Sequence, residues 1–546
     1  MKKLVACLLA GVALVSVPQV VLAQAEPAAT PAVTRVVIAP PRTELARIVK
    51  TALAANYAAA AKDSRDYLAA QKLYYFYGER HFEPLWLTEE AGGKVSFSKN
   101  AAAIIALFEK SAEEGFRPSD YITPALDVAA AGSEPAKLAA LETAFSDAAL
   151  RYAQDIYGGR IRPTAVSSLI TEKPKRIDEA AILQKLAEAK DPAAVLFALE
   201  PRHPEFLALK AALAKFSNDA VEEQITIAEG VTLKPGMSDP RVPDLRKRLD
   251  LTAEDPASLV YDDALVAAIT TFQDSLGLTA DGVTGPATVA ALNGGAATTR
   301  EDIIANMERW RWMPDDLGDF NVFVNIPEFR LAITKGGVPE YTTRVVVGTV
   351  KNQTPVFSDN IRHIVVNPYW NVPSSIARNE IGPRLMSNPG YLDSQNMELL
   401  YGGKVISASA VDWSTTSVNN FSIRQRPGAS NALGKVKFLF PNQHDVYLHD
   451  TPSKSLFQRS FRAYSHGCVR VQNPMEFADA LLKYEPNMGA EALEAMYGPK
   501  ERWVNLKTHV PVHIAYFTLR VDADGTIRSY GDVYGHNKRL KELLAE

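Results

Sequence analysis

The sequence predicts an α+β multidomain chain: a mainly helical N-terminal scaffold domain, a small three-helix module, and a β-rich C-terminal domain. Three observations predict it. The 546 residues are too many for a single core. Apolar residues recur at helical spacing in an Ala- and Leu-rich first part. After about residue 301 the pattern changes to alternating, β-branched runs punctuated by Pro and Gly.

The N-terminus carries the three-part pattern of a secretory signal. Met1-Lys2-Lys3 is positive, Leu4 to Val17 is apolar, and Pro18 breaks the run. Ala23-Gln24-Ala25 offers small residues for cleavage after Ala25, with cleavage after Ala23 as the alternative. The run is shorter than the roughly 20 residues that span a bilayer. Residues 1–25 are therefore expected to be a signal peptide, and the mature chain a periplasmic one without a transmembrane span. Leu4-Val5-Ala6-Cys7 has the look of a lipid-attachment box, but it precedes the apolar run, so lipidation of Cys7 is not expected. Residues 26–43, rich in Ala, Pro, Thr and Val, read as a flexible leader.

Residues 44–226 read as the helical scaffold, with Leu45 to Leu73 and Leu138 to Tyr157 as its clearest helices. Tyr74, Tyr75, Tyr77 and Trp86 read as core. Residues 231–293 read as three short helices: one from Val242 to Leu249, one from Tyr261 to Leu276, and one from Pro286 to Asn293 with Thr284 as its cap. Residues 301–546 hold the strand patterns Phe320 to Ile326, Tyr341 to Val350, His363 to Asn367, Val510 to Val521 and Gly525 to Tyr530. The long polar stretch 383–435 is expected to flank or cover a site as a lid. Its Arg424 and Arg426 suit either an anionic ligand or a solvated loop.

A net charge of -4 and the absence of a dense Lys/Arg block exclude a nucleic-acid footprint. The chain has two cysteines, Cys7 and Cys468. Removal of the signal would leave Cys468 alone, and a solitary thiol in an exported protein is read as reactive.

The chemistry concentrates in Val446-Tyr447-Leu448-His449-Asp450-Thr451-Pro452 and Tyr464-Ser465-His466-Gly467-Cys468-Val469-Arg470-Val471. His449 falls on a strand ended by Thr451-Pro452. Asn473-Pro474-Met475-Glu476 opens a helix whose apolar face is Phe477, Leu481 and Leu482. Cys468 is thus placed in a glycine-adjacent bend between a loop and a helix, where two histidines can converge on it. A thiol beside an imidazole can lose its proton to it and attack an amide carbonyl. Backbone N–H groups near Gly467 and Cys468 would meet the resulting oxyanion, at about 3 kcal/mol for one such donor. The residues alone support covalent acyl transfer and leave hydrolysis and transfer both open. His466 as the base in place of His449 stays open as well. A metal reading fails, because His444, His449, His466 and Cys468 match no common zinc spacing.

Two resemblances add to this. Residues Val242-Pro243, Leu245, Leu249, Phe272-Gln273, Leu276-Gly277-Leu278 and Asp281-Gly282-Val283-Thr284-Gly285-Pro286 resemble the peptidoglycan-binding helical module. The run from His449 to Ser465-His466-Gly467-Cys468-Val469-Arg470 resembles the signature of the L,D-transpeptidase catalytic domain (YkuD type). Asn306-Met307-Glu308-Arg309-Trp310-Arg311-Trp312, Gln353-Thr354-Pro355 and Asn367-Pro368-Tyr369-Trp370-Asn371 strengthen it. The whole is similar to the large periplasmic three-part branch of that family.

The resemblance implies Cys468 as nucleophile and His449 as general base. It implies Gly467, His466 and Ser465 as support of the loop and oxyanion site. Arg470, Tyr447, Trp370 and Asn371 would meet the substrate. It further implies 3→3 peptidoglycan cross-linking through a thioester with loss of the terminal D-alanine, no cofactor, acylation by carbapenem-type β-lactams, and peptidoglycan stem peptides and wall-synthesis proteins as partners. The rivals are an L,D-carboxypeptidase, an enzyme that transfers stems to an outer-membrane protein, and a non-catalytic wall-binding protein.

Overall fold

The computed structural model describes residues 37–546, apart from 63–64, 91–93, 217–224, 226, 229, 253–254, 276–277, 295–297, 487 and 523–524. The expected signal peptide, Cys7, most of the leader and Leu276-Gly277 lie outside the described residues.

The scaffold forms helices because capping residues sit in front of apolar stripes. Thr43 accepts from the Ala46 N–H to start Glu44–Ala59. Ser98 and Asp178 do the same for Lys99–Glu109 and Glu179–Glu188. The long helix Pro135–Gly158 buries Leu138, Leu141, Phe145, Tyr152 and Ile156 at helical spacing. Tyr77 and Trp86 are fully buried against it, while Tyr74 packs on the same core half-exposed. The Tyr77 hydroxyl donates to Glu142 over 2.6 Å, so the polar tip of the core is satisfied. A two-stranded ribbon, Leu87–Glu89 with Val95–Phe97, interrupts the otherwise helical domain.

The small module has helices Val242–Arg248, Asp263–Ser275 and Pro286–Gly294. Leu233, Val242, Leu245, Tyr261, Leu265 and Ile269 form its core. Thr284 stands two residues before the third helix. Its backbone pairs with Leu233 and its hydroxyl meets the Tyr261 hydroxyl at 2.8 Å. A buried tyrosine needs a partner, and Thr284 supplies it.

Helix Arg300–Trp312 joins the scaffold to the β-rich domain. Thr299 and Asp302 make a reciprocal capping box at its start, and every residue from Ile303 to Trp312 is buried. Burial of its charges is possible because the scaffold answers them. Arg311 is 0% exposed, donates to the Glu114 carbonyl at 2.8 Å and lies 3.4 Å from Glu308. Glu308 accepts the Ile161 N–H at 2.7 Å. Gly159, at φ +82, leaves room for this, since a Cβ there would sit 2.5 Å from the Glu308 carboxylate.

The β-rich domain holds a nine-stranded sheet. From Ala463–Ser465 it runs through Val338–Gly348, Val469–Val471, Leu448–His449, Val436–Leu439, Phe357–Val366, Arg502–Ala515 and Phe320–Asn325 to Arg330–Lys335. Arg330–Lys335 also pairs with Val338–Gly348, so the ladder closes on itself. A core of Val322, Val347, Ile364, Phe438, Leu448 and Phe477 fills it. Ile170 of the scaffold bridges to Val356 and joins the same core.

Residues 383–435 belong to a folded subdomain that starts earlier than the sequence reading placed it. Trp370–Asn371 pairs with Arg424–Gln425 at the edge of a four-stranded sheet that also holds Met397–Tyr401 and Lys404–Ile406. Ile381, Leu385, Leu392, Leu399, Trp413 and Ile423 give it a core of its own. A second departure lies at the C-terminus, where helix His536–Ala545 follows the last strands.

Candidate active site

The two halves of the motif meet because Leu448–His449 and Val469–Val471 are parallel neighbours, with His449 opposite Arg470. Leu448 turns into the core and His449, 4% exposed, turns the other way. Cys468 lies in the bend just before Val469–Val471, so a strand separates it from helix Pro474–Leu482. The sequence reading placed loop and helix directly around it. It missed the strand because three residues are too few to display an alternation. Asn473 precedes that helix as expected, but its amide donates to Glu476 at 2.9 Å and its side-chain oxygen accepts no backbone N–H of the first turn.

The bend is held from several sides. Gly467 has φ +117, a conformation that favours glycine. Ser465 Oγ donates to the Cys468 carbonyl and accepts the Gly467 N–H at 3.2 Å. Thr354, from Gln353-Thr354-Pro355, donates to the Gly467 carbonyl at 2.8 Å and accepts the Gly348 N–H at 2.8 Å. The Tyr534 hydroxyl donates to the Gly348 carbonyl at 2.7 Å. The Gly467 N–H expected at an oxyanion is therefore taken by Ser465. Among the described residues no acceptor faces the Cys468 N–H.

Cys468 is partly buried and free. Its thiol donates over 3.9 Å to the Asp445 carbonyl. Burial pushes the thiol up to about 11, against the hydrogen bonding of Tyr447 and the charge of Arg470. Burial, followed by the Arg470 charge, holds His449 down at about 3. The His449 Nδ1–H donates to the Asp450 carbonyl. A carbonyl only accepts, so the proton sits on Nδ1 and Nε2 keeps its lone pair. Asp450 is itself fixed: its carboxylate accepts from the Lys435 N–H at 2.9 Å and pairs with Lys454 at 2.7 Å.

The second histidine is engaged by the subdomain. His466 is half-exposed, and its Nε2 lies 2.8 Å from the Glu380 carboxylate of the subdomain. Sequence reasoning could not find this contact, because the two residues are 86 positions apart and a separate fold intervenes. A cleft of about 280 Å³ opens between the subdomain and the nine-stranded sheet, lined among others by Trp370, Glu380, Arg384, Gln425, Thr451 and Arg470. Arg470 Nε is buried there with no hydrogen-bond partner among the described residues. Tyr447 and Asn371 lie outside that lining. Tyr447 packs edge-on to the His449 ring at 5.7 Å, and Asn371 is exposed in its ladder. Thr354, Asp445, Glu380 and Tyr534 are contributors the sequence reading gave no role. No group of three or more His, Cys, Asp or Glu suited to a metal occurs among the described residues.

With fold and site in view, the comparisons define the class. Residues 319–513 match the L,D-transpeptidase catalytic domain (YkuD), residues 71–213 a scaffold domain, and residues 238–292 the family described as "Putative peptidoglycan binding domain". The chain thus carries a YkuD-type L,D-transpeptidase catalytic domain joined to a scaffold and a peptidoglycan-binding-type domain. A curated relative, the "Putative L,D-transpeptidase" of Haemophilus influenzae, is 33% identical over 248 residues, 45% of this chain and 50% of the relative. The match spans about half the length of that relative. Solved structures of L,D-transpeptidases from Xylanimonas cellulosilytica (17% identity, 53% of this chain and 98% of that one, TM-score 0.19) and Stackebrandtia nassauensis (14%, 52% and 94%, TM-score 0.22) are also similar. No helix among the described residues is long and apolar enough to cross a membrane.

Proposed function

We propose that the chain is an exported, periplasmic L,D-transpeptidase that forms 3→3 peptidoglycan cross-links through a thioester on Cys468. One observation carries the reading. A free cysteine stands on a glycine bend that leads into Val469–Val471, and the parallel neighbour of that strand carries a buried histidine whose Nδ1–H is tied to a backbone carbonyl, so that Nε2 is available as a base.

The resting pair is neutral, since the thiol is raised and the imidazole depressed. Proton transfer therefore accompanies attack. As Cys468 Sγ bonds to the carbonyl at the L-centre of the third stem residue, His449 Nε2 takes the thiol proton. The oxyanion is met by the Cys468 N–H. The imidazolium returns its proton to the departing amine of the terminal D-alanine, leaving the thioester. The side-chain amine of a diamino acid on a neighbouring stem then attacks, His449 accepts the amine proton, and the thiolate leaves. Arg470, with a buried donor unsatisfied, suits a stem carboxylate, and Trp370 lines the same cleft. The subdomain around 383–435 serves as a lid over that cleft. Ser465 and Thr354 hold the bend, while His466 ties it to the lid through Glu380. No cofactor takes part.

Mass analysis of products from purified muropeptides tests the reading. Cross-linked dimers with release of D-alanine support it. Trimmed tripeptides alone would make the chain an L,D-carboxypeptidase. Stems found on an outer-membrane protein's lysine would make that protein the acceptor.

A further inference from the structure

A large cavity lies far from Cys468 in sequence, within the scaffold. It is a cleft of about 1070 Å³ between helices Glu44–Ala59, Arg65–Glu79, Pro135–Gly158 and Glu179–Glu188. Its volume is at the upper end of what small-ligand sites use, roughly 300–1,000 Å³. Among the described residues six cations line it: Lys72, Arg151, Arg160, Arg162, Lys175 and Arg176. Three carboxylates face them: Asp147, Asp155 and Glu179. Burial pushes Asp155 up to about 7, which widens the positive excess near neutrality, and burial raises Asp147 as well.

Several of the cations are already engaged. Lys72 pairs with Glu179 at 2.6 Å, Lys175 with Asp315 at 2.7 Å, and Arg160 with Asp120 at 3.4 Å. Arg151 donates to the Asp120 carbonyl at 3.2 Å. Arg162 and Arg176 are exposed, and neither side chain has a partner among the described residues. The Arg160 Nε is buried without an acceptor. Leu53, Leu73, Leu150, Ile177 and Leu183 supply an apolar wall.

The chemistry of this lining selects its ligand. No aromatic ring occurs among the described residues that line it. Sugars are commonly held on aromatic faces, so a glycan is poorly matched. Guanidinium groups beside an aliphatic wall match a short peptide that carries carboxylates and small apolar side chains.

We propose that the scaffold cleft is a second binding site, for an acidic peptide, with Arg162 and Arg176 as its carboxylate-reading residues. The choice of a wall stem as that peptide rests on the function proposed above.

The test uses the full chain as Cys468→Ala, so that the probe is not consumed, and a fluorescein-labelled, sugar-free stem tetrapeptide. Anisotropy should resolve two classes of site. Arg162→Glu/Arg176→Glu should weaken one of them more than tenfold, and Arg162→Lys/Arg176→Lys should weaken it less. On the wild-type chain, a diazirine-bearing tetrapeptide should also label peptides between residues 53 and 183. Superposable isotherms for the parent and the charge-reversed chain overturn the proposal, as does labelling confined to the catalytic domain. Acylation of wild-type Cys468 by the same peptide is read separately. Its failure together with intact scaffold labelling would sink the transpeptidase reading and leave the cleft standing.

Discussion

The Nδ1–H of His449 is committed to the backbone carbonyl of Asp450, its neighbour in the chain. This bond fixes the tautomer with no acidic side chain in the third position. It leaves the orienting contact out of reach of any side-chain substitution at Asp450. Asp450→Asn should therefore keep the histidine tautomer and act through the lost Lys454 pair, a weaker hold on the Lys435 N–H and the lost charge near His449, with a loss in kcat/KM well below the roughly 10²–10⁴-fold expected of His449→Ala. Kinetics of both variants on a stem tetrapeptide check this ordering.

Burial at Cys468 makes a second prediction. With the thiol raised to about 11 and His449 depressed to about 3, the free enzyme holds a neutral pair. Neutral imidazole is lost only as pH falls toward its depressed value, so His449 sets no acid limb between pH 5 and 7. The thiolate grows only as pH rises toward its raised value. Alkylation of Cys468 by iodoacetamide should be slow near neutrality and still climbing at about pH 9. A plateau below about pH 7 would mean a preformed ion pair.

Gly467→Ala should cost about 1–3 kcal/mol, because φ +117 strains any residue with a Cβ. Crowding does not contribute, since the nearest atom to that Cβ would be the Gln353 carbonyl oxygen at 3.6 Å. Chemical denaturation measures the loss, and acylation should fall further than stability does.

Glu172 joins scaffold and catalytic domain by accepting from the Ser358 hydroxyl at 2.7 Å. Burial pushes its carboxyl up to about 7. A raised carboxyl contributes stability that is present below its ordinary pKa and is lost as pH rises through the raised one. Glu172→Gln should thus match the wild type near pH 5 and exceed it by roughly 1–3 kcal/mol near pH 8. Thermal unfolding at the two pH values decides it.

Much of this was legible in the sequence, and the losses have physical causes. The helices of the scaffold and module, the strand before Thr451-Pro452 and the glycine bend at Cys468 are local features, set by spacing and by cap or turn residues. Helix Arg300–Trp312 was quotable as a motif, but its burial was not, because Arg311 is neutralised by Glu114, almost 200 residues away. The subdomain read as a polar stretch because its apolar residues are dispersed and meet only after Trp370–Asn371 pairs with Arg424–Gln425. Helix His536–Ala545 was missed because it buries only His536, Asn537 and Leu540 beneath a charged face. The commitment of the Gly467 N–H to Ser465 depends on a rotamer that no spacing encodes.

The central claim is a covalent bond at one sulfur. Intact-mass analysis of the purified chain mixed with a stem tetrapeptide, followed by peptide mapping, examines it directly. The account predicts an added mass equal to the tetrapeptide less D-alanine, located on Cys468 in the wild type and absent from Cys468→Ala. Undiminished stem rearrangement by Cys468→Ala, or an adduct on any other residue, would contradict it.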